Sequence, residues 1–403
     1  MNGKKIVISG TGCALADFLF NGVSFDSDGF KKYLSKNTGD GGLSPGKLVF
    51  TEELEQFAGR PYPEIAREII GVRAPDAFNV GGPSLVALIH AAQLLDSQDY
   101  EVKFYGLSGR DLTAGEIFAM ISKTPLDFGN YRPDSQKPTP FTDVLSDPDH
   151  DNGHGERTFV NNIGAAWDYY PKDIPDDFFQ ADMVCFGGTG LVPQIHDGLT
   201  ELLAKAKENN CITLVNTVFD FRNEKKNPGL PWPLVSTHQD FGMIDLLIMD
   251  CTEAIAISGR KTLDEAARFF AETGVSSCII TNGAQNLIAW SGGGLFEKTD
   301  LITMPVSKTV TDELKSNPHK KGDTTGCGDN FVGGIIASVA WQLKTRKKGH
   351  IDLVESLSWG VASGGFCCFT IGGTYLEDSE GDKKAKVQKI QQDYLRQIGY
   401  PSV

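Results

Sequence analysis

From about residue 181 onward, short apolar strands alternate with amphipathic helical stretches, and this alternation restricts the possible folds most. MVCFGG, ITLVN, LLIMD and SCIITNG are apolar runs ending in small or polar residues, and helical spacing marks Gln194–Lys207 and Leu263–Thr273 between them. Strands apolar on both faces and separated by helices belong to a mostly parallel sheet with helices on both faces. An earlier strand, Lys5–Ser9 (KIVIS), is expected to stop at Gly10-Thr-Gly12. Gly81-Gly82 then turns into a helix over Pro83–Leu95, with Leu85, Leu88, Ile89, Ala92 and Leu95 on one face. The expectation is one α/β domain over residues 1–403.

Two irregular polar stretches, about 18–60 and 125–165, interrupt this order and are expected to form a small β lid over the sheet. GERTFVNNIG in the second reads as a hairpin arm, and the tail Glu377–Val403 as a charged surface helix. A chain that is 40% hydrophobic and 22% charged can bury a sizeable core. Its formal charge of −14 argues against nucleic acid as a partner, because a polyphosphate backbone demands a basic footprint. It does not disfavour a nucleotide, since backbone N–H groups and a metal ion can bind phosphate inside an acidic protein. No run approaches the ~20 apolar residues of a membrane span, and no secretory h-region follows Met1; the expected location is cytoplasmic. The eight cysteines show no CxxC spacing, so they read as reduced and mostly buried.

The segment that carries chemistry is Gly322-Asp-Thr-Thr-Gly-Cys-Gly-Asp-Asn-Phe-Val-Gly-Gly334, ahead of an apolar helix over Ile335–Leu343. Small residues at a helix start leave its first N–H groups free, and with the helix dipole they make an anion site. Asp329 lies in that turn, placed to take a proton from a hydroxyl that attacks a phosphorus held there. Helix capping would account for one aspartate, not for Asp323 and Asp329 flanking a TTGxG run.

This segment resembles the DTxGAGDxF signature of the ribokinase-like (PfkB) carbohydrate kinases, a family that includes adenosine kinases. The resemblance implies Asp329 as catalytic base, the backbone of Gly326, Cys327 and Gly328 as anion hole, and Thr325 at the nucleotide. Cys327 replaces the usual Ala, and Asn330 stands where a small residue is common. Gly10-Thr-Gly12…Asp17 resembles the first family motif, placing Gly12 and Asp17 at substrate hydroxyls. Gly81 and Gly82 resemble the pair that approaches the sugar, although Pro83, Ser84, Leu85 and Val86 occupy the region where the family carries Asn. Asp250-Cys-Thr-Glu253 is similar to NxxE, implying that Glu253 and Asp250 order Mg²⁺. Asn216, Thr281 and Gly283 match nucleotide-contacting positions, and Gly155-Glu156-Arg157-Thr158 the lid hairpin. The implied cofactors are ATP and Mg²⁺, with K⁺ at Asp323 as in many relatives; a homodimer follows by analogy.

The function implied is transfer of the γ-phosphate of ATP to a hydroxyl of a small carbohydrate. Two alternatives stand beside it: a nucleoside (adenosine-like) kinase, and a sugar- or nucleotide-binding regulator that kept the fold without catalysis. A dinucleotide-dependent oxidoreductase is disfavoured, because the third glycine of GxGxxG is replaced by Leu15. His150 and His154 read as a solvated loop rather than a metal pair. Cys367-Cys368 reads as tight helix packing near the nucleotide rather than redox chemistry.

Overall fold

In a computed structural model describing residues 4–37, 39–153, 155–345 and 351–400, fourteen strands form two sheets. They begin with β1 (Ile6–Gly12), β2 (Leu15–Asn21), β3 (Leu48–Phe50), β4 (Ala77–Gly81), β5 (Tyr100–Gly109), β6 (Asp127–Ser135) and β7 (Phe141–Asp147). They continue with β8 (Glu156–Asn162), β9 (Met183–Gly187), β10 (Ile212–Asn216), β11 (Leu246–Asp250), β12 (Ser277–Thr281), β13 (Leu287–Ser291) and β14 (Thr299–Met304).

The larger sheet has the order β14-β13-β12-β11-β10-β9-β1-β5-β6, parallel from β12 to β6 and antiparallel at the β13-β14 edge. Alternate residues of its central strands feed two separate cores, as a period of two requires. Met183 and Cys185 of β9, with Leu246 and Ile248 of β11, join the core that holds the helices Pro83–Leu94, Cys327–Thr345 and Leu353–Cys367. Val184, Phe186, Leu247 and Met249 join the opposite core with Leu199, Leu202, Phe269 and Phe270. This is the doubly covered, mostly parallel sheet that the strand–helix alternation predicts.

The smaller sheet, β3-β8-β7-β2-β4, has its own apolar cluster, including Phe30, Leu43, Leu54, Ile65 and Val160. The expected segments 18–60 and 125–165 supply β3, β7, β8 and most of β2. Strand β4 lies outside them, and β6, inside the second, pairs with β5 in the larger sheet instead. A polar edge strand carries little apolar signal, so its partner is not legible from composition.

Three boundaries differ from expectation. Strand β1 runs through Gly10-Thr-Gly12 rather than stopping there; a Cβ on Gly10 would lie 2.4 Å from Leu88 Cδ1, so glycine here lets a helix close on the strand. The helical stretch after Gln194 divides at Gly198, which packs against Pro171. The helix expected from Ile335 begins at Cys327 and so includes the glycine-rich motif in its first turn. In the C-terminal helix, Asp382–Gln397, Lys383, Val387, Gln391 and Tyr394 are buried, so one face docks on the core. All eight cysteines are free, five of them buried. No helix among the described residues is long and apolar enough to cross a membrane.

The Cys327–Thr345 helix is wedged between Pro83–Leu94 and Leu353–Cys367, and Gly333 and Gly334 permit it. A Cβ on Gly333 would stand 2.6 Å from the Ala87 carbonyl, and one on Gly334 2.5 Å from that of Trp359. Gly333→Ala is therefore expected to lower stability by about 1–3 kcal/mol, although Ala is favoured over Gly by about 1 kcal/mol in an open helix. A urea midpoint equal to or above wild type would contradict this packing.

Candidate active site

The centre of the site is the turn that opens the Cys327–Thr345 helix. Thr324 takes φ 60°, a left-handed backbone rare for a β-branched residue, and Gly326 takes φ 76°. Thr325 N–H donates to Asp323 Oδ1 (3.0 Å), Cys327 N–H to the Thr324 carbonyl (3.3 Å) and Asn330 N–H to the Gly326 carbonyl (2.9 Å). Among the described residues no acceptor meets the N–H groups of Gly326, Gly328 or Asp329. A Cβ on Gly328 would meet nothing within 4 Å, whereas one on Gly326 would stand 2.4 Å from Gly373 Cα. The turn is thus packed from behind and open in front, with three unsatisfied donors at the positive end of a 19-residue helix.

Two carboxylates face this turn without a hydrogen-bond donor among the described residues: Asp329, half-buried in the first turn, and Asp17 of β2, 8% exposed. Burial raises the Asp329 carboxyl to about 6. Burial, then the charges of Asp329 and Asp323, raise Asp17 to about 7. Cys13, close enough to feel Asp329 and Asp17, has its thiol pushed up chiefly by burial. Any side chain at position 81 would displace Asp17, since a Cβ on Gly81 would lie 2.1 Å from Asp17 Oδ2. Gly12 pairs with Gly187 at the end of β1, and Gly82 starts the Pro83–Leu94 helix.

The 370–374 loop holds the turn in place. Asp323 Oδ1 accepts from Gly372 N–H (3.1 Å), and Asn330 Nδ2 donates to the carbonyls of Gly326 and Gly373 (both 2.8 Å). Asn79 of β4 donates to the Ile371 carbonyl (3.1 Å) and accepts from Thr374 N–H (3.1 Å). Arg157 of β8 reaches across from the smaller sheet. Its guanidinium donates to Thr325 Oγ1 (3.2 Å) and the Asp323 carbonyl (3.1 Å), with Asp323 Oδ2 at 3.7 Å. A cation therefore already stands beside the carboxylate that the family resemblance assigns to K⁺. Sequence reasoning placed Arg157 in a hairpin without a role; a basic residue in a strand is no signal by itself, and only its reach to residues 166 positions later shows its place.

Along the same sheet edge, the C-terminal ends of β10, β11 and β12 present Asn216, Asp250 and Thr281, the edge where open α/β sheets bind ligands. Asp250 and Glu253 cap one helix reciprocally: Asp250 Oδ1 accepts from Glu253 N–H (2.8 Å) and Glu253 Oε2 from Asp250 N–H (3.1 Å). Thr217 Oγ1 also donates to Glu253 (2.6 Å). Burial, then the Asp250 charge, raise Glu253 to about 7. Thr281 Oγ1 donates to the Met249 carbonyl (3.4 Å), and Gly283 (φ 55°) faces open space. Asp323 lies on the other loop, and among the described residues no three His, Cys, Asp or Glu side chains gather at metal-ligating spacing. Two adjacent acidic groups at the C-terminal edge of the sheet fit Mg²⁺, which keeps several of its waters and takes one or two carboxylates with phosphate oxygens. His150 packs against Phe25 (5.3 Å); His154 lies outside the described residues.

Next to β2 is a small cavity of about 10 Å³, room for roughly one water, lined by Cys13, Leu15, Phe104, Tyr131, Asn162 and Tyr169 among others. Leu15 and Asp17 share one face of β2 by strand alternation. The Tyr131 hydroxyl and Asn162 Oδ1 are buried there without partners. Val86, 1% exposed, packs under Gly373.

Comparison with known proteins places this arrangement. The description "pfkB family carbohydrate kinase" matches residues 77–379. A probable sugar kinase from Rhizobium etli superposes with a TM-score of 0.65 at 15% identity, covering 96% of this chain and 100% of that one. Adenosine kinase from Anopheles gambiae, in complex with P1,P4-di(adenosine-5) tetraphosphate, gives 0.63 at 20% identity, covering 98% of both chains. Ribokinase from Thermotoga maritima gives 0.61 at 15%, covering 96% and 99%. The fold is ribokinase-like.

The raised carboxyls have a stability consequence. Unfolded, Asp17 ionises near 3.8; folded, it holds its proton to about 7. Between these values the folded state binds more protons, so this group's contribution to stability falls as pH rises and the cost is complete above 7. Asp17→Asn should therefore raise Tm at pH 8 by about 1–3 °C and leave it unchanged at pH 4. A variant no more stable than wild type at pH 8 would contradict the assignment.

Proposed function

The chain belongs to the pfkB family of carbohydrate kinases, and on that premise we propose that it transfers the γ-phosphate of ATP to a hydroxyl of a small carbohydrate. The observation that carries this reading is the turn with three unsatisfied N–H donors and an unpaired Asp329 beside them. The donors suit the charge that develops on a transferring phosphoryl group, and preorganised backbone dipoles need no rearrangement at the moment of reaction.

The acceptor lies between Asp17 and the turn. Asp17 takes a hydrogen bond from one hydroxyl, and the reacting hydroxyl gives its proton to Asp329 as its oxygen bonds to the γ-phosphorus and ADP leaves. Arg157 adds a guanidinium at the phosphate end, and the smaller sheet that carries it acts as a lid that excludes water. Mg²⁺ held near Glu253 and Asp250 would neutralise charge on the β- and γ-phosphates. Asn216, Thr281 and Gly283 are the positions along which the nucleotide extends.

A second reading, a nucleoside as acceptor, rests on the likeness to the Anopheles gambiae adenosine kinase, which covers 98% of both chains.

ADP release in the presence of Mg²⁺ decides between these readings across a panel of sugars, sugar acids and nucleosides. Sugars alone active would establish the first, and nucleosides without free sugars the second. Asp329→Asn should cut kcat by about 10²–10⁴ with ATP affinity nearly unchanged, and Arg157→Ala by about 10². In wild type, kcat/KM should fall as pH drops through about 6, where Asp329 of the free protein takes up its proton. Ligand binding without turnover by any acceptor would instead favour the non-catalytic regulator.

A further inference from the structure

The Cys327 side chain, standing where the family signature carries alanine, has a partner. Its sulfur is 3.6 Å from that of Cys368, which follows the last turn of the Leu353–Cys367 helix. Both thiols are partly exposed, whereas Cys13, Cys185, Cys211 and Cys278 are buried in apolar surroundings. Cys367, 1% exposed, stands beside the same turn and also acts on the Cys327 thiol, but its own thiol is engaged, donating to the Thr325 carbonyl (3.3 Å) and accepting from Asn330 Nδ2 (3.4 Å). Two accessible thiols on separate helices, in contact at the turn that holds the free N–H groups, are more than core filling.

We propose that Cys327 and Cys368 form a reversible disulfide that disables the phosphate-binding turn under oxidising conditions. The covalent chemistry balances with a hydroperoxide as oxidant. The Cys368 thiolate attacks the peroxide oxygen, releasing an alcohol or water and leaving a sulfenic acid. The Cys327 sulfur then displaces water from that sulfenic acid to form the S–S bond. Two thiols lose two electrons and two protons, and the O–O bond takes them up. A dithiol reductant reverses the process by exchange.

Cys368 suits the first step. The contact with Cys327, with the Lys321 charge nearby, lowers the Cys368 thiol and raises that of Cys327, so Cys368 is the more readily ionised of the two. Bond formation must bring the sulfurs from 3.6 Å to about 2.05 Å. The turn has little room to give, because Gly326 is wedged against Gly373 and Gly364 lies close beneath the Cys327 carbonyl. Movement of Cys327 is therefore passed to the N–H groups of Gly328 and Asp329. A misplacement of about 1 Å in catalytic geometry can cost on the order of 10²-fold.

The loss of activity rests on reading this turn as the phosphoryl site; the disulfide itself does not, so the experiment measures both separately. The full-length protein is treated with hydrogen peroxide, its remaining thiols are alkylated, and a non-reducing peptide map is taken. ADP release is measured before treatment, after it, and after dithiothreitol. A peptide joined through Cys327 and Cys368, with turnover reduced on the order of tenfold or more and restored by dithiothreitol, is the expected result. Cys368→Ser should keep its reduced-state activity, form no such peptide and lose no activity on treatment. A map with no Cys327–Cys368 link, or with Cys367–Cys368 joined instead, would overturn the proposal. So would a complete link that leaves turnover unchanged. If the reduced protein turns over no acceptor, the kinase reading fails alone, and the peptide map still decides whether the disulfide exists.

Discussion

The first turn of the Cys327–Thr345 helix has to keep its backbone donors free inside a crevice, and much of the surrounding structure serves that requirement. Each N–H kept out of an intrachain hydrogen bond forgoes about 0.5–1.5 kcal/mol, and left-handed Thr324 adds strain of about 1–3 kcal/mol. Such a turn would ordinarily relax by capping itself. It is prevented from doing so by contacts from three directions: Asp323 and Asn330 tie it to the 370–374 loop, Asn79 ties that loop to β4, and Arg157 spans the outside from β8. Each of these hydrogen bonds fixes backbone that would otherwise turn inward to satisfy the free donors.

The electrostatics follow the same logic. Asp17, Asp329 and Glu253 are all raised, with burial the leading cause in each. The crevice holds acidic groups whose ionised form burial disfavours, next to N–H groups without a protein acceptor. A ligand carrying hydroxyls, phosphates and a divalent cation answers both deficits at once: hydroxyls donate to the carboxylates, phosphate oxygens accept from the turn, and the cation favours ionised Glu253. The crevice is costly to the folded protein alone, and its cost is the free energy available for selective binding.

The larger sheet was legible in the sequence because apolar strands and 3.6-period helices are local patterns, written in runs of five to fifteen residues. The glycine-rich turn was legible for a related reason, since its glycines, threonines and aspartates lie in one continuous segment. What could not be read is what long-range contact decides. Arg157 is an ordinary strand residue until β8 is set opposite Thr325, and Asn79 acquires meaning only beside Thr374. The pairing of β6 with β5 escaped for the same reason, because a polar edge strand takes its place from a neighbour and not from its own pattern.

The departures from the family signature are where this long-range structure is most informative. Val86, at a region expected to touch substrate, is sealed under Gly373, and Asn79 on the opposite side of the Gly81-Gly82 pair supplies the polar link to that loop. Asn330, in place of a small residue, holds two carbonyls that would otherwise lie bare at the back of the turn. Cys327 alone among these substitutions faces a reactive partner rather than a backbone group. A change that only preserved the turn would need no sulfur at Cys368 to meet it. The pair thus sets Cys327 apart from substitutions that maintain geometry and places it with those that make geometry conditional.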